Sequence, residues 1–298
     1  CYSNSASDTV SVSKITRAKA SADFDGDLRT DFSVYRPSTG VWYVNYSSNN
    51  TYRIQQFGLT EDVPTPEDFD GDNITDLGVF RPSTGVWYQY RSSDNTASIV
   101  QFGSNGDIPT SADYDGDAKG DFSVFRPLTG QWYVYYSTNP SQPGVFGFGL
   151  SGDVPATGDY DDDGKTDIAI FRPSTGDWWY SLTAAPQPLR TIHWGQSGDI
   201  AVPGDYDGDF KTDFAVFRPS NGTWYISRTT DGGSTITQWG ISEDIPTVGD
   251  YDGDGKDDIA VFRPSTGVWY VVRSSNGAFQ IGTFGLTGDR PAPAYDAP

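Results

Sequence analysis

The phrase Arg-Pro-x-x-Gly-x-Trp occurs six times, placing Trp42, Trp87, Trp132, Trp178, Trp224 and Trp269 at spacings of 45, 45, 46, 46 and 45 residues. A period of this size marks an array of equal units, each of which buries its apolar faces against its neighbours. The second copy shows the unit: Val63-Pro64-Thr65-Pro66-Glu67, an acidic run from Asp68 to Asp76, then Leu77-Gly78-Val79-Phe80-Arg81-Pro82-Ser83-Thr84-Gly85-Val86-Trp87-Tyr88, closing on Ile99-Val100-Gln101-Phe102-Gly103. Four extended runs separated by turn residues predict one four-stranded antiparallel sheet. At about 45 residues such a sheet has the size and strand number of a β-propeller blade.

The central hairpin has its own chemistry. Pro82 presets φ for the first turn position, and Gly85 supplies a left-handed residue that closes a short loop. Past that glycine, side chains alternate across the sheet, so Trp87 and Tyr88 face opposite sides and both sides must accept an aromatic ring. A blade between two neighbours meets that demand, and the Trp set is expected to form the core between blades. With no Met, 34 Gly, 19 Pro and 15% aromatic residues, composition favours short strands and turns over helices. The expected fold is therefore all-β, a six-bladed β-propeller over residues 17–298 preceded by a segment, residues 1–16. That segment holds a lone strand-like stretch, Thr9 to Ile15, as a possible extra strand or anchor. Asp289 to Asp296 resembles the start of a further copy without its acidic loop, so a rudimentary seventh blade built from the two termini is the alternative.

Each copy carries Asp-x-Asp-Gly-Asp-x-x-x-Asp or a close variant: Asp23, Asp25, Asp27 and Asp31; Asp68, Asp70, Asp72 and Asp76; Asp113, Asp115, Asp117 and Asp121; Asp159, Asp161, Asp163 and Asp167; Asp205, Asp207, Asp209 and Asp213; Asp250, Asp252, Asp254 and Asp258. Four carboxylates within nine residues repel one another unless a cation lies between them. Calcium accepts six to eight hard oxygen ligands in adaptable geometry, whereas magnesium is stricter and zinc prefers His or Cys. The spacing matches the first half of an EF-hand loop, with positions 1, 3 and 5 giving side chains and position 7 a carbonyl, here Arg29, Ile74, Lys119, Lys165, Lys211 and Lys256. Up to six calcium ions are expected. The sixth position calls for a left-handed backbone, natural for Gly164 and Gly255, tolerable for Asn73, and strained for Leu28, Ala118 and Phe210. Weaker binding is expected in the loops at 23–31 and 205–213.

These repeats resemble FG-GAP repeats, the blade type of integrin α-subunit propellers and of many bacterial extracellular proteins. The resemblance rests on the acidic loop and on Phe57-Gly58, Phe102-Gly103, Phe148-Gly149 and Phe284-Gly285, with Trp194-Gly195 and Trp239-Gly240 as variants. It covers about nine-tenths of the chain and departs from the integrin type in blade number, since those propellers have seven. It implies a calcium-stabilised protein of adhesion or recognition at the cell surface or outside the cell.

A formal charge of −20, from 40 acidic and 20 basic residues, argues against nucleic acid and anionic membrane surfaces as partners. Little suggests catalysis. His193 is the lone histidine and has no counterpart in other copies, and the patterned Asp residues are all taken up by the loops. Arg36, Arg81, Arg126, Arg172, Arg218 and Arg263 could ring an anionic ligand, but are expected to bridge to acids of the adjacent blade. Three function classes follow: a non-enzymatic adhesion or self-assembling surface protein, including filaments built by strand addition; a carbohydrate-binding lectin; and a hydrolase or lyase acting on polysaccharide. Cys1, followed by Ser3-Asn4-Ser5-Ala6-Ser7, looks like the lipid-bearing start of a bacterial lipoprotein, the alternative being a cut within a longer precursor.

Overall fold

The structure, a computed structural model, describes residues 21–183 and 188–292. Cys1, the stretch from Thr9 to Ile15 and residues 293–298 lie outside the described residues. Those described form strands and turns without a helix, and the strands make six four-stranded antiparallel sheets. The sheets are the blades of a six-bladed β-propeller.

Blade 2 gives the plan, running outward as Val63–Pro64, Leu77–Arg81, Val86–Tyr90 and Ala97–Gln101. The innermost strand is two residues long in every blade; five of the six end it on a proline, which has no N–H to add to a ladder, and the fifth blade ends it on Ala201. The second strand, Leu-Gly-Val-Phe, is buried on both faces, the third alternates, and the outer strand is half exposed. Burial is greatest at the second strand and falls outward from it, while the innermost strand is half-buried. The hairpin forms as its residues predict: Gly85 has φ 67° and its N–H donates to the Arg81 carbonyl at 2.9 Å. A Cβ on Gly85 would lie 2.3 Å from the carbonyl oxygen of Gly103, so the turn glycine is pressed on that backbone, while a Cβ on Gly103 would meet the Phe80 ring at 3.0 Å.

Each tryptophan sits between two blades. Trp42 packs with Leu77 and Val79 of blade 2, Trp87 with Phe122 and Val124, Trp132 with Ile168 and Ile170. Trp178 packs with Phe214 and Val216, Trp224 with Ile259 and Val261, and Trp269 returns to Phe32 and Val34 of blade 1. All six are 0–1% exposed, and their indole N–H groups donate to the carbonyl of the aromatic residue in the Phe-Gly or Trp-Gly pair.

The seventh-blade alternative is set aside by one pairing. Arg290–Pro291 forms the innermost strand of blade 1, with Val34 opposite Pro291 and Tyr35 opposite Arg290. The Ala292 N–H adds a bond to the Ser33 carbonyl at 2.9 Å, and the Ser33 hydroxyl returns one to the Ala292 carbonyl. What resembles the start of another copy is the missing quarter of the first.

Candidate metal centres

In blades 2 to 6 the acidic loop joins the innermost strand to the second; in blade 1 it leads into the second strand, Phe32–Arg36, whose innermost neighbour Arg290–Pro291 comes from the far end of the sequence. The first Asp builds the loop: Asp68 Oδ1 accepts the N–H groups of Gly71 and Asp72 at 2.6 and 3.2 Å, and Oδ2 that of Asn73 at 2.8 Å. The same bonds recur at Asp23, Asp113, Asp159, Asp205 and Asp250. Wrapping the chain this tightly forces the sixth position left-handed, with φ of 69°, 66°, 68° and 68° at Leu28, Asn73, Ala118 and Phe210, and 80° and 88° at Gly164 and Gly255. In the fourth loop Asp162 stands where the others have glycine, at φ 64°.

The ninth position ties the loop to the blade. Asp76 is fully buried; its Oδ2 accepts the Phe69 N–H at 3.0 Å and its Oδ1 the Ser92 N–H at 2.6 Å. Burial pushes Asp76, Asp121, Asp167, Asp213 and Asp258 up to about 6 and Asp31 up to about 7. Desolvation also raises Asp23, Asp113, Asp159, Asp205 and Asp250.

Positions 3 and 5 accept from hydroxyls that the sequence reading passed over. Ser92 donates to Asp72 Oδ2 at 3.0 Å and Ser93 to Asp70 Oδ2 at 2.6 Å. The pair recurs as Ser47-Ser48, Ser137-Thr138, Thr229-Thr230 and Ser274-Ser275. Its signal was the blade period itself. The fourth copy has Thr183 bonded to Asp163 but Ala184 where the second hydroxyl would be.

One oxygen of each third-position Asp has no such partner. Oδ1 of Asp25, Asp70, Asp115, Asp161, Asp207 and Asp252 is buried and lacks any hydrogen bond. Around it, carboxylate oxygens of positions 1, 3 and 9 lie within 4.8 Å of one another in the loops at 68–76, 113–121, 159–167 and 205–213, as do those of Asp23, Asp25 and Asp27 in the first. This donor set is all hard oxygen and fits a calcium-type cation. The seventh-position residues contribute visibly in another way: Lys119, Lys165, Lys256, Arg29 and Ile74 lie over a glycine of the preceding blade's loop, and Lys256 Nζ donates to the Asp207 carbonyl at 2.8 Å.

The loops are also joined to one another. The N–H at the eighth position donates to the first-position carbonyl of the preceding loop: Thr75 to Asp23, Gly120 to Asp68, Thr166 to Asp113, Thr212 to Asp159, Asp257 to Asp205, and Thr30 to Asp250, each at 2.7 Å. Six loops thus form one closed circuit.

At the opposite ends of the second strands, the six arginines before proline each bind a carboxylate through both fork nitrogens. The partners are Asp289, Asp62, Asp107, Asp153, Asp199 and Asp244, with Nε–Oδ1 distances of 2.7–2.8 Å. Each acid lies not on the adjacent blade's sheet but on the crossover arriving from it, a correction to the expected bridge. These acids also recur at the blade period, so the patterned Asp residues are not all taken up by the loops. Each guanidinium further stacks on a ring, such as Arg36 on Tyr43 at 4.2 Å. The arginines are therefore engaged internally. His193 is exposed and pairs with Asp177 at 2.8 Å; hydrogen bonds from the Thr175 side chain and from His193 hold Asp177 below its ordinary value.

Comparison with known proteins agrees with this architecture. The FG-GAP-like repeat family matches residues 205–261 and the FG-GAP repeat family residues 245–281. No curated protein sequence matches the chain. Among solved structures, a lectin of Agrocybe aegerita that recognises non-reducing terminal N-acetylglucosamine is 12% identical, with TM-score 0.55 over 85% of this chain and 89% of that one. Virginiamycin B lyase of Staphylococcus aureus is 8% identical, with TM-score 0.52 over 76% of this chain and 72% of that one. BBS1N, solved in complex with ARL6DN, is 10% identical, with TM-score 0.53 over 91% of this chain and 81% of that one. At such identities the likeness is one of fold. Residues 205–281 match FG-GAP repeat sequence, and the described residues as a whole form a six-bladed β-propeller.

Proposed function

We propose that this is a calcium-binding propeller of the cell surface or extracellular space, acting by adhesion or self-assembly rather than by catalysis. The observation behind the calcium reading is the set of six buried, unpartnered Oδ1 atoms, since a buried anionic oxygen without donor or cation is strongly disfavoured. Positions 1, 3 and 9 would supply carboxylates, position 5 would act directly or through water, and position 7 its carbonyl. The ions would hold the loops in their left-handed wrap and so brace the blades. The adhesion reading draws on the rim, where Tyr52, Ile54, Ile99, Ile236, Phe279 and Ile281 of the outer strands are 62–67% exposed beside backbone edges that pair with no further described strand. Such edges accept an added strand from a partner or a second copy.

The test is calcium titration with melting curves. Calcium at about a hundred times its dissociation constant should stabilise each coupled site by about 2.7 kcal/mol. Asp252→Asn should lower the stoichiometry by one ion and leave the chelator-treated melt unchanged. An identical melt in calcium and in excess chelator would remove the reading.

A second reading is glycan binding, favoured by a groove of about 740 Å³ between blades 3 and 4 that Tyr114, Tyr136, Phe146 and Phe148 line. Aromatic faces of this kind suit sugar rings. A glycan array, with Tyr136→Ala as the control, would separate it from adhesion through the rim.

A further inference from the structure

The counterpart of that groove between blades 6 and 1 has a different lining. Where blades 3 and 4 present Lys165, Tyr136 and Leu182, blades 6 and 1 place Arg29 and Arg273 around a cavity of about 220 Å³ with Asn45, Ser47, Asn50 and Gln280. Its floor is the pair of buried rings Phe32 and Tyr251, 5.5 Å apart. A cavity this small lies below the ~300 Å³ lower bound for drug-sized ligands and suits one sugar-sized group.

Two features single it out. Arg36, Arg81, Arg126, Arg172, Arg218, Arg263 and Arg228 are each paired with a carboxylate; among the described residues Arg29, Arg53, Arg91, Arg190, Arg273 and Arg290 form no such ion pair, and of these Arg29 and Arg273 line one cavity together. In a chain with 40 acidic residues, two unneutralised guanidinium groups from different blades in one cavity need a reason. Arg273 is instead held by a neutral acceptor, Gln280 Oε1, at 3.2 and 3.0 Å, which orients its fork without cancelling its charge. In addition, Asn45 Oδ1 is buried without a hydrogen bond, and so is the hydroxyl of Thr30, a residue only 2% exposed.

We propose that this cavity binds a carboxylate-bearing sugar residue, of the hexuronate type, with the carboxylate on Arg29 and Arg273 and ring hydroxyls on Asn45, Asn50 and Gln280. The arginines supply planar bidentate donors for the carboxylate. The amides and Ser47 supply paired donors and acceptors for hydroxyls, which a simple anion would leave unused. The inference rests on the glycan-binding reading and narrows it to acidic glycans at one of the six interfaces.

The test is a ligand-observed NMR titration of D-glucuronate into the full chain in calcium buffer, with D-glucose and inorganic phosphate as comparison probes. Glucuronate should bind, with glucose and phosphate each about tenfold weaker or more, the size of a lost charge-assisted contact. Arg273→Gln should weaken glucuronate about tenfold and Arg190→Gln, on the exposed outer strand of blade 4, should not. If Arg273→Gln does not fold, Arg29→Gln, at an exposed position, carries the same expectation. Absence of saturable glucuronate binding, equal binding of glucose or phosphate, or indifference to both arginine variants overturns the proposal. Neutral glycans retained on an array in that event would leave the glycan reading standing, while an empty array would remove both.

Discussion

Asp31 and its five equivalents are acids that burial keeps protonated to unusually high pH, about 7 for Asp31 and about 6 for the rest. Their ordinary value is 3.8, so between roughly pH 4 and these folded values the folded chain holds protons that the unfolded chain has released. In the metal-free protein the stability these six carboxyls contribute is therefore fully present below about pH 4 and is lost as pH rises through 6 to 7. The net charge of −20 acts in the same direction. In chelator the melting temperature should be higher at about pH 5.5 than at about pH 7.5. The rise produced by calcium should be larger at pH 7.5, because bound ions need the ionised carboxylates. A chelator-treated protein that melts lower at the acidic pH would refute the protonation account. The left-handed sixth position was legible from residue type alone, and Leu28 and Phe210 keep their standing as strained sites. The Ser/Thr pairs recur at the blade period, but their link to the loops is not legible, because a hydroxyl has no hydropathy signature and its acid lies 20 or 23 residues upstream. They add the loop at 159–167, where Ala184 replaces one hydroxyl, as a third weak candidate. Phe210→Gly should tighten the fifth loop's calcium affinity, by up to about 1 kcal/mol in the backbone term, as read by calorimetry.

At the scale of the strand and turn, the bidentate Arg–Asp pairs fasten each crossover to the blade it enters. Asp153 is nearly fully buried, and Arg172→Ala would leave its charge without a partner. A loss of about 2–4 kcal/mol is expected, below the upper range for buried pairs because the arginine is partly exposed. Arg172→Lys should recover only part of it, since an ammonium cannot match both oxygens. Urea denaturation of both variants measures the difference, and equal stability of wild type and Arg172→Ala would show that the pairs add nothing. The hairpin was read from Pro and Gly because those residues act on their own backbone. The Arg–Asp pair joins positions 19 residues apart through side chains, and the aromatic alternation around it masks the signal. Gly85→Ala tests the other fastening: its Cβ would meet the Gly103 carbonyl, and the variant should lose more than about 2 kcal/mol in the same assay.

For the whole molecule, the repeat predicted the number of blades but not how the ring is sealed. Sequence similarity places Asp289 to Ala292 with a following copy, and the pairing of Arg290–Pro291 with Val34 and Tyr35 spans the full chain, beyond any local pattern. Deleting residues 289–298 removes that strand and the partner of Arg36, so the melt should fall by about 10 °C or more, from the loss of several kcal/mol. Limited proteolysis should then cut first within blade 1. The 2.7 Å bonds that run from loop to loop have a consequence of a different kind. A linear array of the same repeats would shed ions from its two ends, where each terminal site has one neighbour. Here every loop has two neighbours, so calcium bound as proposed would obey a circular nearest-neighbour law with no boundary. Calcium uptake should then show a Hill coefficient above one, and depletion should start at whichever loop is intrinsically weakest and spread both ways around the circle.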